Sequence, residues 1–108
     1  MSFTIIIQNN ATSEMVNLEI KDHELLALKN DLMGDSGIID WIVNAIKGKI
    51  FNCNKRMRTE WTNKLLEAEI LPPKDDIAFI SMVTSMNKYE DRQLREIKAM
   101  KSVDIIKN

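Results

Sequence analysis

The chain has 108 residues, enough for one domain, of which 44% are apolar and 29% charged, a balance too hydrophobic for a disordered chain. Its net charge of −1 supplies no global field for attracting nucleic acid or an anionic membrane. Cys53 is the only cysteine, so no internal disulfide can form and a reduced compartment is expected.

The charge is sorted along the chain. Residues 1–40 hold two cations and seven acids, whereas residues 41–59 hold five cations and no acid; residues 60–76 sum to −3 and residues 77–108 to +2. No apolar run is long enough to cross a bilayer, and the start MSFTIIIQNN has no basic region ahead of its apolar residues. These features predict a protein made and used inside a cell or a particle, with no membrane partner.

Taken in order, FTIIIQ (3–8) and MVNLEI (15–20) are β-branched or alternating runs separated by the turn-forming NNATSE, which predicts a β-hairpin. An isolated hairpin is marginal in water, so this one needs a helix to lie on or a neighbouring chain to pair with. Asp22 is placed to cap a helix from His23, with Leu25, Leu26, Leu28, Leu32 and Met33 on its apolar side and Gly34 at its end.

Asp35 and Ser36 offer a second cap, and Ile39, Ile42, Ile46, Ile50, Cys53, Met57, Trp61 and Leu65 then recur at steps of three and four. This spacing predicts one long helix to Ile70, stopped by Leu71-Pro72-Pro73. Gly48 interrupts it, which implies either a break or a close approach that needs the missing side chain. The stripe is expected to face inward, leaving the cations outside by geometry.

Asp75 or Asp76 caps a third predicted helix carrying Ile77, Ile80, Met82, Val83 and Met86 and ending near Asn87. Residues 88–108 are highly charged, with Leu94, Ile97 and Met100 at helical spacing, and read as a fourth helix or a projecting arm. The expected architecture is α+β and mostly α: a single domain with a hairpin over 1–21, a helical core over 22–87 and a charged C-terminal segment.

Lys47, Lys49, Lys55, Arg56 and Arg58 fall within twelve residues. Their first reading is the solvated face of an amphipathic helix. Their second is a docking surface for an acidic partner, including the acidic blocks of a neighbouring copy. Nucleic acid fits less well, because no binding motif is present and no aromatic residues interleave with the cations.

Trp41 and Trp61 bracket the long helix; Trp61 continues the stripe and suits a core, whereas Trp41 is open to a partner. His23 is alone and Cys53 has neither a second cysteine nor a nearby histidine, so neither a metal site nor a thiolate nucleophile is supported. Asp75 with Asp76 and Glu67 with Glu69 fit helix ends. With no GxxxxGK[ST], GxGxxG or HExxH, the expectation is a non-enzyme without a cofactor.

The run WIVNAIKGKIFNCNKRMRTEW (41–61) resembles small proteins encoded by tailed bacteriophages and prophages, matching a G-K-I-x-x-C-x-x-R-M-x-x-E-W pattern at Gly48, Lys49, Ile50, Cys53, Arg56, Met57, Glu60 and Trp61. LPPKDD and MNKYEDRQLRE extend the similarity to roughly residues 25–95. The resemblance implies phage origin and a place among structural or assembly proteins near the tail and fibre, in the virion or the host cytoplasm. Its partners would be other phage structural proteins or copies of itself, with Lys47, Lys49, Lys55, Arg56, Arg58, Trp41, Tyr89, Arg92 and Arg95 as candidate contact residues. The rival expectation is a small regulatory or host-interacting protein that binds nucleic acid through the Lys47–Arg58 face.

Overall fold

A computed structural model describes residues 2–107, with side chains over 2–101. Strands β1 (Phe3–Gln8) and β2 (Met15–Ile20) are followed by helices α1 (Asp22–Asp31), α2 (Gly34–Glu67), α3 (Asp76–Thr84) and α4 (Arg92–Lys107). The expected α+β, mostly helical architecture is present, and residues 92–107 form a helix. Contacts gather into two compact units, the first ending at Lys49 and the second starting at Ile50, with α2 threading both.

In the first unit the strands pair antiparallel with Phe3 opposite Ile20, Ile5 opposite Leu18 and Ile7 opposite Val16. Alternation places these six apolar residues on one face. The turn is built by Asn9, whose side-chain oxygen accepts from the Ala11 N–H at 2.9 Å while its carbonyl accepts from the Ser13 N–H at 2.8 Å. Phe3, Leu25, Leu26, Lys29 and Asp35 line a shared concavity, and the buried residues are Leu25 on α1 and Ile38 on α2.

Helix α1 begins one residue earlier than the sequence predicts, with Lys21 as its N-cap; the Glu24 carboxylate accepts from the Lys21 N–H at 2.9 Å. Gly34, the first residue of α2, has φ +66°, a left-handed conformation that disfavours a side chain. The glycine therefore turns the chain between two helices.

In the second unit, Trp61 and Leu65 of α2 pack with Phe79 and Val83 of α3, surrounded by Met57, Ile70, Ile80, Met82, Met86 and Tyr89. Asp75 caps α3 by accepting from the Ala78 N–H at 2.9 Å, and Asp91 caps α4 by accepting from the Leu94 N–H at 2.9 Å. Helix α2 stops at Glu67, three residues before the expected Ile70. The Ile70 N–H donates to the Leu65 carbonyl at 2.8 Å and the Glu69 N–H to the Leu66 carbonyl at 3.0 Å, with Glu69 at φ +61°. This is a Schellman closure with glutamate where glycine is usual.

Two further expectations need correction. The helix runs unbroken through Gly48, and a Cβ built there would meet nothing within 4 Å, so neither a break nor close packing accounts for this glycine. Helix α3 ends at Thr84 rather than near Asn87, because the Ser85 and Met86 N–H groups close the last turn onto Ser81 and Val83.

Candidate functional site

The basic run divides by what each side chain touches. Arg58 is committed inside the second unit: Nε and Nη2 donate to Asp76 Oδ1 at 3.1 and 2.8 Å, Nη1 to the Pro73 carbonyl at 3.0 Å, and Nη2 also to the Lys74 carbonyl at 2.8 Å. Its guanidinium carbon lies 4.4 Å from the centroid of the Phe79 ring. Planar, forked geometry lets one side chain serve two carbonyls, a carboxylate and an aromatic face at once. Arg58 is thus a clamp on the Pro72-Pro73 turn and not an open contact residue, which corrects its expected place in a binding face.

Lys47, Lys49, Lys55 and Arg56 are exposed and have no ion-pair partner among the described residues. Tyr89 is half-buried, its ring 6.0 Å from that of Trp61, and so belongs to the core rim. Trp61 is buried and carries Lys64 Nζ at 4.6 Å from its ring, as expected of a core anchor; Trp41 is 59% exposed. Arg92 pairs with Glu96 at 3.5 Å in the open, and Lys98 pairs with Glu90. One shallow depression gathers Arg56, Arg92 and Arg95 with Glu60 and Glu96, so three expected contact residues meet there.

The inward stripe is the expectation that fails most informatively. Its C-terminal part is covered, with Trp61 and Leu65 buried and Met57 half-buried against them. Ile39, Ile46 and Ile50 are 51%, 57% and 54% exposed, and Cys53 is exposed as well. Ile42, which the sequence assigns to the stripe, is half-buried, and Val43 lies open instead. In the first unit, burial on the helix is concentrated at Ile38.

Uncovered apolar surface also occurs on the hairpin, where Ile7, Val16 and Leu18 of the pairing face are each more than half exposed. The α4 residues Leu94, Ile97 and Met100 are likewise open. Large apolar side chains left exposed in number on one element mark interaction surfaces. The exposed members Ile39 and Val43 are contact candidates that the sequence reading overlooked, although their spacing relative to Ile46 and Ile50 carried the signal.

Among the described residues no group of His, Cys, Asp and Glu is arranged to hold a metal ion, and no helix is long and apolar enough to cross a membrane. No family model, curated protein or solved structure matches the chain.

Proposed function

We propose that the chain is a non-catalytic structural or assembly protein of a tailed-phage particle, tail- or fibre-associated, acting through contacts with other particle proteins or with copies of itself. The observation that carries this reading is the set of large apolar side chains left uncovered on regular elements, above all Ile39, Val43, Ile46 and Ile50 on α2. Each square ångström of apolar surface kept in water forgoes about 25 cal/mol of transfer free energy, part of which a partner could recover. The phage setting rests on the residue pattern from Trp41 to Trp61, and the site of action would be the virion or the host cytoplasm.

Mass spectrometry of purified particles and of assembly intermediates from the encoding phage tests the proposal. The protein is expected in one of the two fractions; its absence from both, with the major tail proteins well covered, would contradict it.

One observation supports a second reading, in which a regulatory or host-interacting protein binds nucleic acid: Lys47, Lys49, Lys55 and Arg56 remain exposed. Binding to random duplex DNA, followed against salt, separates the two. A steep linear fall of log affinity with log salt favours the second reading, and no measurable binding at low salt removes it.

A further inference from the structure

On α2 the exposed residues Ile39, Val43, Ile46, Ile50 and Cys53 follow one another at steps of four, three, four and three. Alternating steps of this kind form the seam of a coiled coil, where each side chain enters a hole between four residues of a facing helix. One flank of the seam carries Asp35, Ile42, Lys49 and Arg56, and the other carries Asp40, Lys47 and Asn54.

We infer that this seam is covered by the same seam of a second copy of the chain, with the two α2 helices antiparallel. The inference rests on the protein-contact reading above and names the partner. Charge selects both direction and register. A parallel pair would set Asp35 against Asp40 of the second copy and would create no opposite-charge contact along the seam.

An antiparallel pair centred between Asn44 and Ala45 behaves differently. It places Ile39 beside Ile50 of the second copy and Val43 beside Ile46. Asp40 then faces Lys47 of the second copy, and Asp35, already 3.1 Å from Lys29, faces Arg56. Two-fold symmetry makes each contact twice, as an isologous interface requires. Sliding one heptad in one direction opposes Lys47 to its own copy and Lys49 to its own copy; sliding in the other opposes Asp40 to Asp40. Asp40, Lys47 and Arg56 have no ion-pair partner within the described chain, so they are available for this role.

Sedimentation velocity on the full chain and three variants tests the inference, with circular dichroism confirming helix content in each. Wild type is expected to dimerise with rising concentration. Asp40→Lys and Lys47→Asp, each alone, should weaken dimerisation by about tenfold or more, because each creates two like-charge contacts. An equimolar mixture of these two variants should recover a heterodimer, since every swapped pair is then opposite in sign. The double variant Asp40→Lys/Lys47→Asp should recover the homodimer. Monomeric wild type at every concentration would overturn the second-copy seam while leaving the particle-protein reading to its own test. Dimers indifferent to both swaps, or a mixture that stays dissociated, would overturn the antiparallel register.

Discussion

Arg58 on α2 and Asp76 at the start of α3 are joined by two hydrogen bonds, 2.8 and 3.1 Å long, from one guanidinium to one carboxylate oxygen. The same guanidinium closes over the Phe79 ring and binds the carbonyls of Pro73 and Lys74. A cation from a solvent-facing run is therefore what ties the proline turn to the core.

Replacing Arg58 by alanine should lower the unfolding free energy by about 2 kcal/mol. Charged hydrogen bonds to the carbonyls and the cation–π contact supply most of it, and the ion pair little, because the Asp76 carboxylate is largely solvated. Arg58→Lys should recover only a minor part, since an ammonium cannot serve both carbonyls. Arg56→Ala should stay within about 0.5 kcal/mol of wild type. Urea titrations monitored by circular dichroism compare the three.

The αL residue at the end of α2 predicts a gain. Glu69→Gly removes the steric cost of φ +61° and should stabilise by about 0.5–1 kcal/mol after the larger unfolded-state entropy of glycine is subtracted. A thermal midpoint at or below that of wild type would count against the closure described for Glu69 and Ile70.

Two glycines should respond in opposite directions. Gly48→Ala enters open space in a helix interior and should stabilise by up to about 1 kcal/mol. Gly34→Ala forces a side chain into the left-handed region and should cost about 1 kcal/mol. Thermal unfolding of both variants reads the difference in sign.

Core and seam should also separate. Phe79→Ala opens a cavity beneath Arg58 and should cost about 3–5 kcal/mol. Ile46→Ala, at an exposed position, should change the stability of dilute protein by no more than about 0.5 kcal/mol and weaken association instead. Denaturation at low concentration, set beside sedimentation at high concentration, distinguishes the two effects.

Much of this fold was legible because local rules agree with it. The β-branched run FTIIIQ, the alternation in MVNLEI and the three-four spacing from Ile39 to Leu65 name their elements correctly, and of the two acids offered as the cap of α3 it is Asp75 that serves. The C-terminus of α2 was not legible, because αL closure is signalled by glycine and here falls on Glu69. Burial was legible only in part: a periodic apolar stripe shows which side of a helix avoids water but not what covers it. Trp61 and Leu65 find α3 in the same chain, whereas Ile46 and Ile50 stay more than half exposed. Arg58 was misassigned for a related reason, since a sequence shows its charge but not the carbonyls of a turn fifteen residues on.

Oxidative cross-linking at Cys53 tests the antiparallel seam most directly. In that register Cys53 lies roughly 25 Å along the axis from its own copy, seventeen residues at 1.5 Å each, but directly opposite Ser36. Wild type should therefore run as a monomer on non-reducing gels after mild oxidation, and Ser36→Cys should run as a covalent dimer that reductant dissolves. Efficient wild-type cross-linking through Cys53, the mark of a parallel pair, or a Ser36→Cys variant that stays monomeric, would contradict the account.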